Sequence, residues 1–252
     1  MNKPYIGITG FMSRSEVDAI LAEVPAELNR QIMIGVLASY KTLQHFKNSM
    51  PNRYPELEKI GSIFREHPKA LNLIHYNTKE RETLCAQLLG LAKIVGPNLH
   101  GFQLNISWPE PKELDVFHLQ CDQKMKIVLQ IGAGAFRKVD DSPEKLARKV
   151  KAEYEGLIDY VLLDPSGGAG KQFDPEKAKE YLDALIDVNV NAALGVAGGL
   201  NAETLGPVAT LAIHFPDLCI DAEGRLRDKD DNLDLTLALA YLRRARNIFS
   251  KF

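Results

Sequence analysis

Eight short apolar runs, spread over the whole chain and separated by longer amphipathic stretches, constrain this sequence more than any other feature. The runs are Tyr5–Thr9, Ile32–Ser39, Ala70–Tyr76, His100–Ile106, Met125–Ile131, Tyr160–Leu163, Ala192–Ala197 and Leu218–Asp221. Most are too short for helices and several are rich in Ile and Val, the pattern of buried strands. The stretches between them read as helices. Ser15 to Val24 carries Val17, Ile20, Leu21 and Val24, and Thr78 to Val95 carries Leu84, Leu88, Leu91 and Val95 with Thr78 as its cap. Ser142-Pro143-Glu144 and Asp174-Pro175-Glu176 each join a capping side chain, a first-turn proline and an acid. Asn201 precedes a further helix, and Asp230 to Phe249 reads as the last.

Strands that alternate with crossover helices run parallel. Eight such units in 252 residues is the count of an α/β chain folded as a single (β/α)8 TIM barrel. An open, doubly wound sheet is the alternative. Full units at both ends favour the barrel, and no linker or low-complexity stretch divides 1–252 into more than one domain.

A hydrophobic fraction of 45% with 25% charged residues supports a large core, and a net charge of −2 argues against a nucleic-acid partner. No apolar run is long enough to span a bilayer, so no membrane partner is expected. Met1-Asn2-Lys3-Pro4 lacks the apolar core of a signal peptide, and Cys85, Cys121 and Cys219 are scattered and odd in number. A cytoplasmic location is expected. No cofactor is expected either. Lys171 is not followed by Ser or Thr as a phosphate-binding P-loop requires, and Gly132-Ala133-Gly134-Ala135-Phe136-Arg137 lacks the third glycine of a dinucleotide fingerprint. The histidines show no metal-ligand spacing. The oligomeric state is not legible in the sequence.

In a barrel, chemistry gathers where strands run out. The sixth run ends in Asp164, and a loop with Gly167, Gly168 and Gly170 follows; glycines let a backbone close over a ligand. After the seventh run, Gly198-Gly199-Leu200-Asn201 reads as a turn into a helix start, where backbone N–H groups receive an anion. After the eighth, Asp221 is followed by Glu223, Gly224 and Arg225. Gly224 and Arg225 would assist a phosphate, and Glu223 would repel it. Strand alternation places Gln103 with Asn105 on one face and Cys219 with Asp221 on one face. His75 reads as a local hydrogen-bonding residue and Trp108 as a packed loop anchor. The irregular segment 48–55 would lie on the active face as part of a lid.

Together these motifs resemble the phosphoribosylanthranilate isomerase family, whose members are ribulose-phosphate-binding barrels. Leu162-Leu163-Asp164 with Gly167-Gly168-Ala169-Gly170 and Phe173-Asp174 is similar to the family's strand-six motif. Val196-Ala197-Gly198-Gly199-Leu200-Asn201 is similar to its strand-seven phosphate motif, and Ile220-Asp221 with Glu223-Gly224 and Arg227-Asp228 to a reduced strand-eight motif. Gln103-Leu104-Asn105 matches the family's Gln-Leu-His with Asn for His. The resemblance implies an Amadori-type isomerisation of a small phosphorylated metabolite, with Asp164 as general acid. It also exposes departures. Ile6 stands where the family has its Cys base, Pro4 where it has Lys, and no Arg is evident near Tyr40 and Lys41 after strand two. Asp221, Glu223 and His75 are the candidate replacement bases, with Asp221 taken beside Asp164 as the catalytic pair. The expected ligand-binding residues are Gln103, Asn105, Gly167, Gly168, Gly170, Gly198, Gly199, Asn201 and Gly224. The expectation is a diverged sugar-phosphate isomerase. A non-catalytic metabolite-binding barrel and an orthodox isomerase of tryptophan biosynthesis are the alternatives.

Overall fold

A computed structural model describes residues 2–165 and 174–251. Eight parallel strands close into one barrel in sequence order. They are β1 (Tyr5–Thr9), β2 (Gln31–Ser39), β3 (Ala70–Asn77), β4 (Gly101–Leu104), β5 (Lys126–Gly132), β6 (Tyr160–Asp164), β7 (Ala193–Ala197) and β8 (Cys219–Ala222). Closure comes from β8 pairing with β1, Ile6 opposite Ile220 and Gly7 opposite Asp221. All eight apolar runs are therefore strands, with ends displaced by at most a few residues.

Ten α-helices are described: α1 (Arg14–Leu21), α2 (Tyr40–Leu43), α3 (Leu57–Ile63), α4 (Leu84–Val95), α5 (Pro111–Gln120), α6 (Ala133–Arg137), α7 (Pro143–Tyr154), α8 (Pro175–Asp187), α9 (Gly206–His214) and α10 (Leu235–Phe249). The two Ser/Asp-Pro-Glu signals cap as expected. Ser142 Oγ accepts from the Lys145 N–H, and the Asp174 carboxylate accepts from the N–H groups of Glu176 and Lys177. Three helix starts differ from the sequence reading, each because a polar side chain is used locally. Thr78 Oγ1 takes the N–H of Glu80, so α4 starts only at Leu84, after a single 3-10 turn. Asn201 Oδ1 takes the N–H groups of Glu203 and Thr204, closing a turn, and α9 waits for Gly206-Pro207. Asp234, not Asp230, caps α10. No described helix is long and apolar enough to cross a membrane.

Strand alternation splits the core into two clusters. Ile6, Ile8, Ile32, Ile34, Phe102 and Leu104 face the helices. Tyr5, Met33, Leu71, Leu73, Val128, Tyr160, Leu162, Ala197 and Cys219 fill the lower barrel, where the Tyr5 and Tyr160 rings meet edge-on at 5.2 Å. Ile6 thus points into the helix layer, and the inward positions of β1 are Tyr5, Gly7 and Thr9. Below this plug, the buried Arg30 donates to the Leu218 and Pro216 carbonyls and stacks on Phe249.

Candidate active site

One step above the apolar plug the interior turns polar. Thr9 Oγ1 donates to the Asp221 carboxylate at 3.0 Å, and Gln103 Nε2 donates to its other oxygen at 2.9 Å. Gln103 Nε2 also donates to Gln130 Oε1 at 3.2 Å, and Gln130 Nε2 donates to Asp164 Oδ2 at 3.0 Å. A chain of amides therefore crosses the barrel from β8 through β4 and β5 to β6. Gln103 and Asp221 point inward, as alternation requires. Gln103 is fully buried, and its Oε1 has no hydrogen-bond partner among the described residues.

Asp221 is 5% exposed. Burial pushes its carboxyl above the ordinary carboxylate range; the Gln103 and Thr9 hydrogen bonds and the nearby His75 pull the other way without cancelling this. It also occupies the space over Gly7. A Cβ built on Gly7 would lie 2.8 Å from Asp221 Oδ1 and 2.8 Å from Met33 Cε. A side chain at position 7 and the carboxylate of Asp221 exclude one another.

Above this network opens a cavity of about 450 Å³. Its wall includes Asp164 and Gln130 from the β5–β6 side, His75 and Asn77 from β3, Asn105 and Ser107 after β4, and Glu223 after β8. Asp164 reaches the cavity, whereas Asp221 lies beneath its floor. Gln103 supports that floor, and Asn105, one residue past β4, lines the wall. Glu223 Oε2 sits 3.7 Å from His75 Nδ1. That ring nitrogen is buried and makes no hydrogen bond among the described residues.

The segment 48–55 brings Met50, Arg53 and Tyr54 to the cavity. Arg53 donates to Glu223 Oε1 at 2.9 Å and to both oxygens of Asp231, and Asn52 donates to the Asp230 carbonyl. The loop after β2 is thereby tied to the loop after β8 across the mouth. Arg53 is an arginine following strand two that the sequence reading did not find. Its signal was weak, an isolated Arg in an aperiodic stretch 14 residues past the strand.

The expected anion cradle is placed less simply. Gly198 and Gly199 have φ of +108° and +64°, conformations that glycine adopts without strain. Asn201, however, is occupied by its own turn, with its N–H donating to Thr204 Oγ1 and its Oδ1 accepting from the chain. Gly224 opens a short 3-10 turn. None of Gly198, Gly199, Asn201 and Gly224 lines the cavity described above. Gly167, Gly168 and Gly170 lie outside the described residues. Among the described residues no His, Cys, Asp and Glu cluster could hold a metal ion.

No family model and no curated protein matches the sequence. Solved structures do match the fold. Phosphoribosylanthranilate isomerase from Thermus thermophilus is 14% identical with a TM-score of 0.65, the match covering 97% of this chain and 99% of that one. A phosphoribosylanthranilate isomerase in complex with reduced 1-(o-carboxyphenylamino)-1-deoxyribulose 5-phosphate is 16% identical with a TM-score of 0.64 and the same coverage. TrpF from Jonesia denitrificans is 16% identical with a TM-score of 0.61, covering 97% and 98%. The chain shares their fold. At such identities the likeness is one of architecture over the full length, and function has to be argued from the site.

Proposed function

We propose that the protein is a sugar-phosphate isomerase acting on an aminoaldose phosphate. The observation that carries this reading is that two carboxylates, Asp164 from β6 and Glu223 after β8, line one polar cavity with His75 behind the second. Asp164 gives a proton to the furanose ring oxygen. The ring C–O bond breaks as the nitrogen lone pair forms an imine. Glu223 then takes the proton from the adjacent carbon, the C–H electron pair forms a carbon–carbon double bond, the C=N π pair moves to the nitrogen, and the resulting enaminol tautomerises to the ketone. Arg53 fixes the direction of Glu223, and His75 Nδ1 stands next to it to share the proton. Glu223 is preferred to Asp221 because Asp221 does not face the cavity. Gly198 and Gly199 are the proposed seat of the phosphate.

Each acid–base group is worth about 10²- to 10⁴-fold. With phosphoribosylanthranilate as first substrate and other aminoaldose phosphates as a panel, Asp164→Asn and Glu223→Gln should each lose that much in kcat while keeping the wild-type circular dichroism. Full turnover by Asp164→Asn would remove the acid role. A second reading, a non-catalytic binding barrel, is favoured by the Arg53 pairing that already occupies Glu223. Stabilisation by these compounds without any product from wild type would select it.

A further inference from the structure

The Gly132–Arg137 segment, which fails as a dinucleotide fingerprint, forms a wall of the same cavity. Three features converge there. Arg137 lines the cavity, and its guanidinium has no hydrogen bond or ion pair among the described residues. Ser107 lines it too, and its Oγ is buried with no partner among the described residues. Gly134 lies between them. A Cβ on Gly134 would sit 3.8 Å from Ser107 Oγ and 3.9 Å from Arg137 Nη2. The hydroxyl and the guanidinium therefore both border the space beside Gly134, which a side chain there would enter. A buried hydroxyl is ordinarily satisfied, and the exposed Arg137 guanidinium on the other side of Gly134 supplies the charge for an oxyanion that would meet both. Arg53, across the same cavity, is already held by Glu223 and Asp231 and leaves Arg137 as the uncommitted cation among the described lining residues.

We propose that Arg137 and Ser107 bind an oxyanion, a carboxylate or phosphate carried by the ligand, in the gap at Gly134, separately from the phosphate assigned to Gly198 and Gly199. This rests on the reading that the cavity takes the substrate, and not on which group moves the proton. The ligand then carries two anionic groups, one at each side of the barrel mouth.

Trp108, the only tryptophan in the chain, adjoins Ser107 and donates from its indole to the Ala135 carbonyl, so its fluorescence reports on this corner. The test titrates the full chain with inorganic phosphate and with acetate at constant ionic strength. Wild type should give a saturable change with at least one of them, and the stronger of the two names the group. Arg137→Gln should bind about tenfold more weakly, as expected for loss of a charge-assisted contact. Gly134→Ala, whose new methyl meets its neighbours at ordinary contact distance, should keep the fold and lose the response. Asp164→Asn, which removes a negative charge from the same cavity, should bind the anion at least as tightly as wild type, which separates this site from the acid–base assignment. No saturable change in wild type, or equal dissociation constants in wild type and Arg137→Gln, would overturn the proposal.

Discussion

The barrel interior holds two layers built by the same strands. The lower layer is apolar, with Val128, Leu162 and Cys219 among its members. The upper layer is a polar mesh, with Gln130, Asp164 and Asp221 linked through Gln103. Each pair of residues is one inward step apart on its own strand: Val128 and Gln130 on β5, Leu162 and Asp164 on β6, Cys219 and Asp221 on β8. A rise of about 7 Å along a strand thus separates stability from chemistry. Among the described residues both layers hold unpartnered buried polar atoms, Tyr5 Oη below and Gln103 Oε1, His75 Nδ1 and Ser107 Oγ above, but only His75 and Ser107 of these line the cavity. Such unfilled capacity is costly for folding alone and is tolerated where a ligand completes it.

The largest test of this division is in the lower layer. Leu162 is fully buried, and Leu162→Ala should cost about 2–5 kcal/mol in urea unfolding through lost transfer energy and the cavity left behind. Turnover per folded molecule should be unchanged. A stable but inactive variant would break the separation.

A smaller effect is expected from Asp221→Asn. The folded chain holds the Asp221 proton more tightly than the unfolded chain does, because burial disfavours the charge. Its contribution to stability is therefore full below the unfolded value of about 3.9 and is lost as pH rises through the folded one. The Asn variant has no such loss. It should match wild type near pH 4 and exceed it at pH 7.5 by roughly 1–3 kcal/mol, the cost typical of a poorly solvated buried charge. Equal stabilities at both pH values would mean that the mesh fully compensates the carboxylate.

Arg53→Ala should have the smallest effect on stability. Its ion pairs are partly exposed, and pairs of this kind contribute about 0–1 kcal/mol. The change should instead appear as faster proteolysis within 48–55, since the tie to the loop after β8 is gone. Unaltered cleavage would show that Asn52 and Tyr54 hold the loop unaided.

The strands and the layer boundary were legible because both follow from local pattern. Apolar runs of strand length ended in polar residues, and a period of two put Gln103 on one face with Asn105 and Asp221 on one face with Cys219, whereas the contact between Gln103 and Asp221 joins two strands and was not legible. Arg53 was not legible, because its partners Glu223 and Asp231 are 170 and 178 residues away and nothing nearby in the chain announces them. Asn201 shows the opposite failure. Its capping chemistry is real, yet it closes a turn, and Pro207 was the better marker of the helix. Ile6 illustrates the limit of motif comparison, since a position inside a matching run can still face the outer layer.

The 2.8 Å approach of Asp221 to the missing Cβ of Gly7 has an evolutionary corollary. The dependence runs one way: a change at position 7 has to reckon with residue 221, whereas residue 221 can shrink with Gly7 left as it is. A lineage, or an engineer, placing a side chain at position 7 must first clear both Asp221 and Met33, and the Ile220 carbonyl at 3.0 Å narrows the opening even then.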